Sequence, residues 1–279
     1  MVRARKKGLS GLVPLLGGLC LLLAAGSLPP DTALSKVKAA GRLRVCHPSD
    51  NPPWITRATA GQPAGGIDLV LLGAISRNAG WDMVSVPVAQ MDAGINPRRW
   101  GLTRARCDVI AGGLVLTEQT RGFLDAPVAH ATFGWSLVTL EAKGEAALTP
   151  GATIGVYVAS LASDRAKLGG WIRAQGLAPT IFARPEALIA ALRAGTIVAA
   201  VTDAPLREGS VRLRIGRLPP PFARQQVGFG FWKGDATLRD AVLSGLSGLE
   251  AQGQLAGIQE FYQVSAGDGG AEPSKDQSN

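Results

Sequence analysis

The residues best suited to chemistry lie in 107–127, Cys-Asp-Val-Ile-Ala-Gly-Gly-Leu-Val-Leu-Thr-Glu-Gln-Thr-Arg-Gly-Phe-Leu-Asp-Ala-Pro. A short apolar run that breaks into Gly112-Gly113 and then offers Thr117 and Arg121 reads as a buried parallel strand opening onto a ligand site. Glycines let a ligand approach backbone N–H and C=O groups closely, and a guanidinium holds a carboxylate through two parallel hydrogen bonds. The competing reading gives the glycines to a turn and the arginine to solvent. A second apolar run, 197–201, ends at Thr202-Asp203-Ala204-Pro205 and presents a carboxylate. Polar groups at strand ends suit the capture of a small molecule.

The elements that must position these groups alternate. Leu43-Arg44-Val45-Cys46 reads as a strand running into the turn-rich His47-Pro48-Ser49-Asp50-Asn51-Pro52-Pro53-Trp54. Gly65-Gly66 leads into a helix with Ile67, Leu71 and Ile75 on one face and Gly80 as its stop. A strand over 83–88, a loose helical segment holding Ile95, Trp100 and Leu102, and a strand over 107–111 complete a βαβαβ order. That order predicts a parallel sheet with right-handed crossovers.

The pattern repeats with a strand at 153–157, a helix capped by Ser160 and running to about residue 174, and a strand at 180–183. Pro185 and Glu186 then open a helix whose apolar face is Leu188, Ile189 and Leu192, closed by Gly195. Late in the chain, 228–235 gives a strand and a turn in which Asp235 can cap a helix bearing Leu238, Val242, Leu246 and Leu249. Leu255, Ile258 and Phe261 mark one more helix, and the polar residues 264–279 read as a disordered tail.

Residues 1–27 read as a cleaved signal peptide, with Arg3, Arg5, Lys6 and Lys7 ahead of an apolar stretch and small residues. Leu19 precedes Cys20 where lipidation wants a small residue. Without those four cations the formal charge falls from +8 to about +4. No basic run interleaved with aromatics appears, so nucleic acid is not an expected partner. Only His47 and His130 are present, without tight ligand spacing, so neither a metal nor a cofactor is expected. Cys46 and Cys107 remain after export, as a disulfide or as two buried thiols. A bridge across about 60 residues would contribute roughly 4 kcal/mol in the chain-entropy model.

Several pieces in order resemble the bacterial family 3 extracellular solute-binding proteins of the amino-acid-binding type, over about 41–262. They are Gly41-Arg-Leu-Arg-Val followed by Pro52 and Trp54; Gly66-Ile-Asp-Leu; Cys107-Asp-Val-Ile-Ala-Gly-Gly-Leu-Val-Leu-Thr; and Gly228-Phe-Gly-Phe-Trp-Lys-Gly-Asp. The resemblance implies an α/β, two-lobed type II periplasmic binding fold, each lobe a mostly parallel sheet flanked by helices, joined by two hinge crossovers. Lobe 1 would be 41–138 plus 226–263 and lobe 2 would be 139–225, with crossovers near Val138-Thr139-Leu140 and Arg224-Gln225.

It also implies site residues. The family's carboxylate-binding arginine falls near Thr120-Arg121 and its amine-binding aspartate on Asp203. Trp54 would offer an aromatic wall, Gly112 and Gly113 backbone groups, and Thr117 and Ser160 hydroxyls. The spacing departs from the pattern: Arg121 follows Thr117 by four residues where the family has three, and Ala159-Ser160-Leu161 stands where amino-acid binders show Gly-Thr-Thr.

The implied role is a periplasmic, monomeric protein that captures an amino acid or other small carboxylate by hinge closure for an ABC-type permease. The paired cysteines also resemble a branch associated with quinoprotein (methanol-type) dehydrogenases, where the chain would be an accessory to a periplasmic dehydrogenase. Some dehydratases share this scaffold, but an enzyme needs a poised acid or base. Glu118, Asp203 and His47 are the few candidates, and the chain is expected not to be one.

Overall fold

The computed structural model describes residues 30–141, 148–159, 163–204, 206, 212–218, 222, 224–262 and 264–266. The expected signal peptide and Ser160 lie outside them, as does the tail apart from residues 264–266.

Helix α1 (Ala33–Ala40) leads to β1 (Arg42–His47), α2 (Ile67–Asn78), β2 (Asp82–Pro87) and β3 (Val109–Val115). Gly66 opens α2 at φ +101°, and a Cβ there would meet the Trp54 carbonyl oxygen at 2.3 Å, so no other residue fits. The helix buries Ile67, Leu71 and Ile75, as their spacing predicts. Between β2 and β3, two 3-10 turns (Ala89–Ala93 and Pro97–Arg99) replace the expected helical segment. Gly94, Pro97 and Gly101 interrupt any longer helix, and Ile95 is exposed. A short helix α3 (Glu118–Phe123) and β4 (Ala129–Phe133) follow.

The chain then crosses over. Strands β5 (Ser136–Leu140), β6 (Thr153–Tyr157), β7 (Ala178–Ile181), β8 (Ala199–Thr202) and β9 (Leu213–Arg217), with helices α4 (Arg165–Ala174) and α5 (Pro185–Ala194), build the second lobe. Helix α4 starts five residues after Ser160, at Arg165, because Asp164 caps it by accepting the Lys167 N–H at 2.8 Å. The chain returns through β10 (Gln225–Gly230), α6 (Ala236–Ala251), α7 (Gln254–Tyr262) and β11 (Ser265–Ala266).

Sheet 1 has the order β11-β4-β10-β3-β1-β2 and sheet 2 the order β7-β6-β8-β5-β9. Both are mixed. Strands β1, β2 and β3 run parallel, as do β6, β7 and β8, while the strands beside the crossovers run antiparallel to their neighbours. Membership changes between Phe133 and Ser136, ahead of the expected 138–140, so the whole of β5 belongs to sheet 2. The return falls between Arg217 and Gln225.

Sheet 1 buries its larger core under α1, α2, α6 and α7, with Leu71, Phe229, Phe231, Leu238 and Val242 at its centre. Its other face is covered by the 3-10 turns and α3 over a smaller core containing Cys46, Trp100, Cys107 and Ile110. A disulfide joins Cys46 to Cys107 there, with Cα atoms 5.5 Å apart, and links β1 to the segment just ahead of β3. Sheet 2 is covered on one face by α4 through Leu168 and Ile172, and on the other by α5 through Leu188, Ile189 and Leu192.

Candidate functional site

Gly112 and Gly113 lie inside β3, not beyond its end, since the apolar run continues through Leu114 and Val115. Both have positive φ, +101° and +79°. A Cβ on Gly112 would meet Pro48 Cδ at 2.3 Å, and one on Gly113 would meet Trp54 Cδ1 at 2.4 Å. The glycines therefore admit the 48–54 loop of their own chain.

Their donors are used internally as well. The Gly112 and Gly113 N–H groups donate to Asp68 Oδ2 at 2.6 and 3.0 Å, and Asp68 Oδ1 pairs with His130 Nε2 at 2.8 Å. Both side chains are buried, His130 stacks on Phe229 at 4.5 Å, and Asn51 Nδ2 donates to the Gly112 carbonyl at 2.9 Å. An internal carboxylate thus occupies the paired amides that an external one would use. Trp54 is fully buried, edge-on to Phe133 at 5.7 Å, and is a core residue. The space left beside the glycines, lined by Asn51, Met91, Thr117 and Thr120 among others, measures about 30 Å³, enough for about two waters.

Thr117 is the N-cap of α3, its hydroxyl accepting the Thr120 N–H at 3.1 Å. This cap sets the helix phase. Thr120, three residues on, is buried and faces the small cavity, whereas Arg121 is exposed and its Nε–H donates to the Ala126 carbonyl at 3.4 Å. One residue along a helix turns a side chain by about 100°, so the extra residue carries the guanidinium away from the cavity. Arg121 is not brought together with the glycines.

At the other lobe, Asp203 is 6% exposed. Its carboxylate accepts the Ala159 N–H at 2.8 Å and the Ser163 hydroxyl, tying the chain that leaves β8 to the chain that leaves β6. The Tyr157 hydroxyl, at the end of β6, has its pKa raised, first by burial and then by the charges of Asp203, Glu186 and Asp50. Asp50 belongs to the loop after β1.

Asp203 also lines an inter-lobe cavity of about 170 Å³. Its polar wall comprises Thr132, Ser136, Asp203, Arg217 and Arg224, from β4, β5, the end of β8, β9 and the return crossover. Half-buried Arg224 donates through Nε to Thr132 Oγ1 at 3.1 Å and through Nη2 to the Thr132 carbonyl at 2.7 Å. Arg217, Arg224, Thr132 and Ser136 were not among the sequence-derived site residues. The one available signal was Arg224 on an expected crossover, where both lobes meet.

Of the acid–base candidates, Glu118 is exposed at the start of α3, and His47 is buried in lobe 1. His47 Nδ1 lies 2.7 Å from the Pro48 carbonyl and Nε2 lies 2.7 Å from Ser85 Oγ. Burial lowers its pKa, partly countered by the Pro48 hydrogen bond and the charges of Asp68 and Asp92. Among the described residues no cluster of three His, Cys, Asp or Glu could hold a metal ion, and no helix is long and apolar enough to cross a membrane.

No protein-family model matches the sequence, and no curated protein matches it significantly. Solved structures do. A polar amino acid ABC uptake transporter substrate-binding protein from Streptococcus thermophilus aligns with TM-score 0.69 and 17% identity, covering 84% of this chain and 89% of that one. The ancestral cationic amino acid solute-binding protein AncCDT-1 aligns with TM-score 0.66 and 20% identity, over 82% of this chain and 98% of the other. Substrate-binding domain 2 of Lactococcus lactis GlnP, in its open conformation, gives 0.60 and 18%, over 80% and 95%. The chain has the two-lobed type II periplasmic binding-protein fold. These structural neighbours are of the class that the sequence resembles.

Proposed function

We propose that this chain is an exported family 3 type solute-binding protein that takes a small carboxylate or amino acid between its lobes and presents it to an ABC-type permease. The observation that carries this reading is the cavity of about 170 Å³ walled by both sheets and the return crossover, with Asp203 facing it beside Arg217 and Arg224. That volume is below the roughly 300 Å³ at which pockets for drug-sized ligands begin, and so is scaled to a small metabolite. In this proposal the carboxylate anchor has moved from α3 to the crossover, with Arg224 replacing Arg121 and Asp203 taking a ligand amine. Closure about the crossovers then follows from contacts that the ligand makes only when both lobes surround it.

The test is a thermal-shift screen of the L-amino acids and small mono- and dicarboxylates, followed by calorimetry on each hit. At least one solute should raise Tm, and Arg224→Gln and Asp203→Asn should reduce the shift. Silence across the screen would sink the transport reading.

A second reading, which rests on the resemblance of the paired cysteines, is an accessory to a periplasmic quinoprotein dehydrogenase. Recovery of a dehydrogenase from periplasmic extract, unaffected by those two substitutions, would support it. A dehydratase-like activity would rest on Asp203 alone among the three candidates, and turnover of a bound carboxylic acid would reveal it.

A further inference from the structure

Lobe 2 carries a second concavity on its outer side, away from the inter-lobe cavity, between α4 and β7. It encloses about 390 Å³, within the range of ligand sites. Its floor is apolar, formed by Val158, Leu168, Ile172, Leu177 and Phe182, and Ile181 on β7 is 73% exposed at its edge. Among the described residues the charged groups lining it are Arg165 and Arg173. Residues 165, 168, 169, 172 and 173 follow helical spacing along one side of α4, so the two arginines stand about 12 Å apart along the helix, one near each end of the groove.

The glycines of α4 add an independent observation. Gly169 lines the groove and Gly170 follows it in mid-helix, where each costs about 1 kcal/mol relative to alanine. Packing among the described residues does not require them. A Cβ on Gly170 would meet nothing within 4 Å, and one on Gly169 would meet only Arg173 Nη1, at an ordinary 3.5 Å. The same distance places the Arg173 guanidinium over the bare Gly169 backbone. A groove kept open at a cost to its own helix, apolar below and cationic at its rim, fits a ligand with an aliphatic body and an anionic head.

An added β-strand fits less well. Ala178 N–H donates to the Ala152 carbonyl and Phe182 N–H to the Val156 carbonyl, so in this parallel pairing residues 179 and 181 turn their backbone outward. Residue 179 is proline and offers no donor. The free edge of β7 is thereby blunted against pairing with another chain.

We propose that the α4–β7 groove is a binding site for a single-chain aliphatic carboxylate, its hydrocarbon lying along Leu168, Gly169 and Ile172 and its carboxylate paired with a guanidinium of the rim. The site is separate from the inter-lobe cavity and does not depend on the function proposed for that cavity. Sodium decanoate, titrated below its micelle concentration into the full chain by calorimetry, should bind saturably, and 1-decanol should bind about tenfold more weakly. The double variant Arg165→Gln/Arg173→Gln should lose about tenfold in decanoate affinity. Gly169→Leu should abolish binding while Tm holds or rises, because leucine is the better helix former. Arg224→Gln and Asp203→Asn should leave decanoate binding unchanged. Absence of saturable binding, or equal affinity in wild type and Gly169→Leu, would overturn the proposal, as would loss of binding in the two inter-lobe variants.

Discussion

The two lobes differ in what lies in front of their internally bonded strand ends. In lobe 1 the end is filled from within: Asp68 takes the glycine amides, His130 backs it, and Pro48 and Trp54 occupy the space that the missing Cβ atoms leave. In lobe 2 and the return crossover Asp203 and Arg224 also bond within the chain, to Ala159, Ser163 and Thr132, but they line a cavity as well. The difference teaches that glycines and a carboxylate near a strand end do not by themselves define a ligand site. What matters is whether the chain's own side chains also fill the space in front of those groups, as Pro48 and Trp54 do in lobe 1. Lobe 1 has become scaffold, and recognition in the proposed function falls to Asp203 and Arg224.

That contrast can be broken most forcefully at Asp68. Asp68→Ala leaves two amides and a buried histidine without their acceptor and should cost about 4 kcal/mol in urea unfolding. A cost under about 1 kcal/mol would mean that the lobe 1 end is not held by its internal carboxylate. Gly112→Ala and Gly113→Ala come next, at about 3 kcal/mol each, since positive φ and a collision with Pro48 or Trp54 act together.

The functional side of the contrast is sharpened by a pair of arginines. Arg224→Gln should lower affinity for the cleft ligand about tenfold or more, while Arg121→Ala should leave both affinity and stability within about 0.5 kcal/mol of wild type. Reversal of that pattern would return the anchor to α3.

The smallest effect is a pH slope from His47. Its folded pKa lies below the ordinary 6.5, so its contribution to stability is complete above pH 6.5. As pH falls through 6.5, the unfolded chain takes up a proton that the folded chain refuses, and stability declines until the folded pKa is passed. His47→Gln should flatten that decline by at most about 1.4 kcal/mol per pH unit, measured as the difference between the two proteins' Tm profiles from pH 7 to 5.

Much of the architecture was legible because it is local. The spacing of Ile67, Leu71 and Ile75 gave α2, Pro185 and Gly195 bracketed α5, and Leu238, Val242, Leu246 and Leu249 are all buried on α6. Cys46 and Cys107 were open between a bridge and two thiols, and the parallel pairing of β1 with β3 brings them within bridging distance. Features that depend on distant partners were not legible. The glycine pair answers to Pro48, Trp54 and Asp68, more than 40 residues away along the chain. The direction of Arg121 is fixed by the Thr117 cap, and the cavity wall at Arg224 exists only once β4 and β9 are in place. The 3-10 turns before β3 kept the apolar residues of a helix but not its continuity.

Strand β10 sits between β3 and β4, in the interior of sheet 1, yet it is made after every strand of sheet 2. A chain that emerges N-terminus first into an oxidising compartment can therefore close its second lobe while its first still lacks an inner strand, reversing the usual order of N-terminal before C-terminal assembly. During that interval the facing edges of β3 and β4 stand unpaired. Cys46 and Cys107 both precede the gap, so their covalent link can hold the early half of the sheet in register until its last partner arrives.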